Sequence, residues 1–273
     1  YILASDSYTS GVEKVQIPDS VTEIKNYAFA GCVGLTEINF PENLKIIGRN
    51  VFYGCTGINE ITIPASVREM GDNIFTNCTG LENVVIENGV TSIGGWAFQG
   101  CRSLVKINIP DSVTSMSMLT FEGCSSLTTV TIPDSVKSMH FDALFAGCTN
   151  LTNVKLPKNV RSTGSGGSAF LNCTSLCSVE LPIGLTSIPH DMFYGCTNLK
   201  SVSIPDGVIE IGSSAFRNCS SLTVINLPDS VTKIDGNGYG YTFSGCSSLI
   251  SISLPEGIKK IGSDDFSECS SLV

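Results

Sequence analysis

At 273 residues, 42% of them hydrophobic and only 15% charged, the chain is long enough to bury a substantial core in one or two domains. A net charge of −9 excludes a partner tracked through its phosphates, which needs clustered Lys and Arg, and equally excludes charge-driven adhesion to anionic membrane. No apolar run approaches the roughly 18 residues of a spanning helix. No basic stretch followed by an apolar one opens the chain as a leader would. The sequence reads as a piece of a longer protein. Tyr1 to Ser10 match the rest of the chain poorly, and Leu272-Val273 ends it partway through another copy of its pattern.

That pattern is a period. Cys32, Cys55, Cys78, Cys101 and Cys124 are 23 residues apart, and the series continues through Cys148, Cys173, Cys196, Cys219, Cys246 and Cys269 at intervals of 23 to 27. Cys177 alone lies outside it. A Phe stands three residues before each of these cysteines, from Phe29 to Phe266, and Leu, or once Ile58, stands three residues after. A repeat of this length is the mark of a stacked architecture and overrides a globular reading of the composition.

The copy from Leu104 to Leu127 shows the unit. Leu104, Ile107 and Ile109 predict a short strand whose side chains alternate inward and outward. Pro110-Asp111-Ser112 ends it, since proline cannot donate to a ladder and the triplet favours a turn. Val113 and Met116 point back inward from a second extended piece. A brief helical turn is expected to carry Phe121 and to close at Gly123. Gly or Asn holds that position before cysteine in ten of eleven copies, Glu268 being the exception. Both tolerate the left-handed conformation that ends a helical turn. Burying about seven side chains does not offset the cost of fixing some 23 backbone units, so a rung folds only against its neighbours. Each rung from Val12 onward is therefore expected to add one strand to a single continuous parallel sheet, with Ile38, Ile61, Val84, Ile107 and Val130 in line.

Read as L-x-x-I-x-I-P-D-S-V-x-x-I-G…A-F-x-G-C-S-S-L, the pattern closely resembles the BspA-type leucine-rich repeats of bacterial and protist surface proteins. Ile204-Pro205-Asp206-Gly207-Val208 and Ala215-Phe216-Arg217-Asn218-Cys219-Ser220-Ser221-Leu222 carry the likeness well, and it runs over essentially the whole chain. The resemblance implies an α/β leucine-rich repeat: a right-handed solenoid of about eleven repeats, with a parallel β-sheet on the concave face and short strands and helical turns elsewhere. It implies a single domain over 1–273, an extracellular or cell-surface location, and a role in adhesion or ligand binding. It transfers no catalytic residue.

The candidate chemistry is sparse. Equivalent cysteines in adjacent rungs come close enough for disulfides but point side by side, so a ladder of reduced, buried thiols is expected, with Cys177 outward and reactive. No paired C-x₂-C spacing offers a zinc site. His140 and His190 lack a recurring nucleophile and acid, and read as surface residues. Gly164-Ser165-Gly166-Gly167 has no following G-K-[ST], and Asp235-Gly236-Asn237-Gly238 has Tyr239 at the next ligand position of a calcium loop and no closing Glu. Neither a cofactor nor a metal is expected. N-x-[ST] sequons stand at Asn77, Asn150, Asn172 and Asn218, three of them by-products of the template.

Outward residues of the sheet, such as Lys14/Gln16, Glu37/Asn39, Lys106/Asn108 and Ser251/Ser253, include no aromatic or Arg anchor. The departures from 23 residues say more: one extra residue near His140-Phe141, two around Ser165 to Gly167, and four within 236–241. Insertions in solenoids map to surface loops. The last joins glycine hinges to tyrosines, so Asn237, Tyr239 and Tyr241 form the possible ligand-contact loop, with side chains outside the stacked core. The functional reading is a non-catalytic binding or adhesion module whose partner is a host or neighbouring-cell surface or matrix protein or glycan, with no nucleic acid and no membrane insertion. The alternatives are an architectural spacer displaying another domain, or a non-catalytic part of a larger surface enzyme.

Overall fold

The computed structural model describes residues 11–162, 166–234 and 238–273. Two strips of short parallel strands run along a stack of rungs. The first holds Lys14–Gln16, Glu37–Asn39, Glu60–Ile63, Asn83–Ile86, Lys106–Ile107, Thr129–Thr131, Asn153–Lys155, Val224–Asn226 and Ser251–Ser253. The second holds Glu23–Ile24, Ile46–Ile47, Glu69–Met70, Ser92–Ile93, Ser115–Met116, Ser138–Met139 and Arg161–Ser162, then resumes with Ser187–Ile188, Glu210–Ile211 and Lys233–Ile234. The single sheet expected for the first strip is a series of segments. Val15 pairs with Ile38, Ile61 with Val84 and Val84 in turn with Ile107, Val130 with Val154, and Ile225 with Ile252, with breaks between. Strands of two to four residues offer few ladder bonds, so a small local shift ends the ladder. The longer continuous ladder is in the second strip, where seven strands pair in sequence order. The core is undivided: one cluster of buried apolar side chains runs from Ile17 to Leu249.

Among the described residues there are no helices, and this corrects the expected helical turns and the α/β class: the fold is a parallel-strand β-solenoid. The reason lies in two left-handed positions per rung. The residue before cysteine has φ near +70° in Gly31, Gly123 and Gly245 and near +60° in Asn77 and Asn218. A second left-handed residue, which the pattern did not disclose, stands two before every Phe: Tyr27, Asn50, Asn73, Trp96, Leu119, Ala143, Ser168, Asp191, Ser214, Tyr241 and Asp264. Left-handed residues four apart leave no room for a helical turn. The amides divide their bonds instead. Glu122 and Cys124 donate to carbonyls three residues back, while Leu119, Phe121 and Gly123 donate to Asp142, Leu144 and Ala146 of the next rung.

Phe29 through Phe266 form one column of near-parallel rings in ten consecutive pairs, 5.3–5.6 Å between centroids and 0–16° between planes. That separation exceeds the roughly 4.8 Å between paired strands, so successive rings are offset, the arrangement the ring quadrupole favours. The extra residue near His140 is absorbed inward: Phe141 is fully buried in the core. Glycines after the second strip set the rung spacing from the other side. A Cβ on Gly71 would lie 2.5 Å from the Gly48 carbonyl oxygen, and one on Gly94 would lie 2.6 Å from the Gly71 carbonyl carbon.

This packing is sensitive to single side chains. Phe145→Ala, in mid-column, should cost about 3–5 kcal/mol in urea unfolding, by lost burial and an unfilled cavity. Gly71→Ala must displace backbone and should cost about 1–3 kcal/mol. Asn50 and Asn73 hold the same left-handed position in other rungs, so Ala143→Asn should instead be neutral or gain up to about 1 kcal/mol.

Candidate functional site

The face carrying the left-handed turns gathers the polar aromatics. Every described Tyr, and Trp96, lies within four residues of a column phenylalanine, either just before the ring or directly after it. The first strip presents no such side chain. Its surface shows Lys14 paired with Glu37 at 2.7 Å and Asn39 donating to Gln16. That pair holds the Lys14 pKa above its usual value and Glu37 below, through a hydrogen bond and their mutual attraction.

Around the 190–241 region three rungs bring their turn residues together. Asp191, Ser214 and Tyr241 occupy the same left-handed position in successive rungs, and Tyr194 and Arg217 occupy the position after Phe in two of them. The Arg217 guanidinium lies 4.4 Å from the centre of the Tyr241 ring and 5.6 Å from that of Tyr194. Its Nε is buried and has no hydrogen-bond partner among the described residues. Next to this stack a cleft of about 310 Å³ is lined by His190, Asp191, Ser213, Ser214 and Tyr239. His190 Nδ1 and Asp191 Oδ2 are 3.1 Å apart. Tyr239, between Gly238 and Gly240 at positive φ, is 78% exposed.

The three residues expected to form the contact loop therefore part company. Asn237 lies outside the described residues. Tyr239 projects, as expected of the insertion. Tyr241 belongs to the rung frame: its amide donates to the Ser263 carbonyl and its ring is capped by Arg217, so it is not a free loop side chain. Tyr194, Arg217, Asp191, Ser213 and Ser214 escaped the sequence reading, which followed insertions and strands, while His190, expected as a plain surface residue, lines the cleft. Aligning the columns on either side of Phe would have found them, because residues in one column of successive rungs are neighbours in space. Gly164 and Ser165 and the sequence Asp235-Gly236-Asn237 also lie outside the described residues.

The remaining candidates are separate. His140 Nδ1 meets Asp142 Oδ2 at 3.2 Å, in a shallow groove with the Gly48, Gly71 and Gly94 backbone. Among the described residues no group of three His, Cys, Asp or Glu is placed to hold a metal ion.

The cysteines are free and, in register, buried, with Cys269 half-buried at the end and Cys177 exposed. The thiols also donate. From Cys55 to Cys269 each Sγ lies 2.9–3.2 Å from the carbonyl oxygen of the Phe one rung earlier, an oxygen that also accepts an amide bond within its own rung. Burial, reinforced by the Cys32 thiol, pushes Cys55 up to about 12, and desolvation likewise raises Cys173 and Cys246 to about 12.

Comparison with known proteins fixes the class. The model for the BspA type leucine-rich repeat region matches residues 6–128, 77–167, 114–242 and 165–273, and the chain belongs to this family. It is similar to a leucine-rich repeat protein from Bacteroides ovatus, at 28% identity over 95% of this chain and 77% of that one, with a TM-score of 0.69. It is similar to the leucine-rich repeat protein of T. pallidum, at 25% identity over 74% of this chain and 81% of that one, with a TM-score of 0.56. The pneumococcal vaccine antigen PcpA shares the fold at 19% identity over 90% of this chain and 63% of that one, with a TM-score of 0.55. No curated protein matches. No enzyme family is indicated, and no described helix is long and apolar enough to cross a membrane.

The thiol ladder sets a pH limit. Below about pH 9 the folded and unfolded chains hold the same thiol protons. Between 9 and 12 the unfolded chain releases protons that the fold retains, so stability falls as pH rises. Urea midpoints should drop steeply from pH 9 to 11, and a Cys101→Ala/Cys124→Ala variant should show a shallower drop. At pH 8 a maleimide should label one thiol quickly in the native chain, and Cys177→Ser should remove that fast phase.

Proposed function

We propose that the chain is a non-catalytic binding module, displayed at a cell surface or secreted, that engages a host or neighbouring-cell surface or matrix molecule. The family supports the class of role, since the BspA-type pattern resembles that of surface proteins and offers a stacked scaffold rather than a reaction centre. The observation that carries the reading is Tyr239: a largely exposed aromatic ring on a two-glycine mount, beside a polar cleft and a Tyr194–Arg217–Tyr241 stack. Aromatic and Arg side chains dominate recognition surfaces, and here they sit on the turn face rather than on the first strip.

The test is binding of the labelled chain to mammalian and bacterial cells, measured by flow cytometry. Binding should be saturable. Tyr239→Ala should weaken it about tenfold or more with the melting temperature unchanged, and substitution of Tyr53, an exposed tyrosine eight rungs away, by Ala should leave it intact. Tyr241→Ala removes a cation–π contact and should also cost about 0.5–1 kcal/mol of stability. Equal binding by wild type and Tyr239→Ala would remove the turn face as the site.

A further inference from the structure

We propose that the cleft between His190 and Tyr239 is a subsite for an uncharged sugar ring, so that the ligand is a neutral glycan. This rests on the binding reading above and names its ligand class. The volume of about 310 Å³ is at the small end for small-molecule sites, which suits a sugar unit and not a folded surface.

The lining matches the two faces of a pyranose. One face of such a ring is a patch of C–H groups and packs on an exposed aromatic ring, here Tyr239. Its rim is a set of hydroxyls that both donate and accept. Asp191 accepts, Ser214 does either, and the His190 ring does one or the other at each nitrogen. Among the described residues Asp191 engages only its Oδ2, with His190, which leaves its second oxygen for a hydroxyl donor. Asp191 and Ser214 stand in the same position of adjacent rungs, about 4.8 Å apart along the stack, so two neighbouring hydroxyls can be read at once.

The same lining argues against the other classes. A sialic or uronic acid would bring its carboxylate beside Asp191 in a cleft whose wall, among the described residues, holds no Lys or Arg. Arg217 is turned to Tyr194 and Tyr241. A protein anchor side chain needs an apolar pocket that sheds water, and this one is walled by a carboxylate, an imidazole and hydroxyls.

The experiment is an array of neutral oligosaccharides ending in glucose, galactose, mannose or N-acetylglucosamine, with sialylated and uronic counterparts, and with matrix glycoproteins before and after enzymatic removal of their glycans. The expected result is binding to at least one neutral terminus and to intact but not stripped glycoprotein. Tyr239→Ala should weaken it about tenfold or more. Asp191→Asn should weaken it similarly without loss of fold, because asparagine suits the left-handed backbone at φ 52° while one carboxylate acceptor becomes an amide donor. Tyr53→Ala should bind as wild type. Three results overturn the sugar assignment: no neutral glycan bound, acidic glycans bound preferentially, or stripped protein bound as well as intact. If stripped protein is bound and Tyr239→Ala abolishes that binding, the sugar falls while the site reading stands. If all binding survives Tyr239→Ala, both fall.

Discussion

Stacking of one rung on the next governs this molecule, and the phenylalanine column is where that constraint is visible. No rung encloses enough apolar surface to fold alone, so each must offer its neighbours a surface that fits above and below. Eleven rings at nearly constant separation supply that fit, and the backbone is shaped to deliver them. The two left-handed residues flanking each Phe turn alternate amides toward the next rung, which explains why the segment is a bonded turn and not a helix. The glycines after the second strip hold the opposite side to the same spacing.

The cysteines obey the same geometry. A residue three past Phe, under the carbonyl of the preceding Phe, must be small and benefits from one donor. A thiol meets both needs while remaining apolar enough for the core. The column thus looks like a disulfide framework in composition yet is a set of hydrogen-bonded thiols, kept protonated by burial.

Function in such a scaffold depends on columns of outward residues. The first strip carries mostly polar side chains and an exposed ion pair, Lys14–Glu37. The turn face carries the aromatics, among them Tyr27, Trp96 and Tyr241, because the position two before Phe is left-handed and its side chain is directed away from the core. Tyr241 shows how this misleads: it looks like part of an inserted loop but is the frame residue of its rung, held by Arg217. Tyr239, two residues earlier, is the true projection.

Sequence alone determined the repeat, the inward set of side chains, the Phe and Cys columns, the reduced state expected of the thiols, and the left-handed residue before each cysteine. These are properties of a period, and eleven copies state them redundantly. Three things were decided only in the tertiary structure. One is the second left-handed position, whose occupants run from Asn to Trp and Leu and share no chemistry, so only the stack reveals them. Another is the inward placement of Phe141, where an extra residue fills core instead of extending a loop. The third is the cleft beside Tyr239, whose walls come from rungs 23 to 27 residues apart and meet only because adjacent rungs are separated in space by the width of a strand.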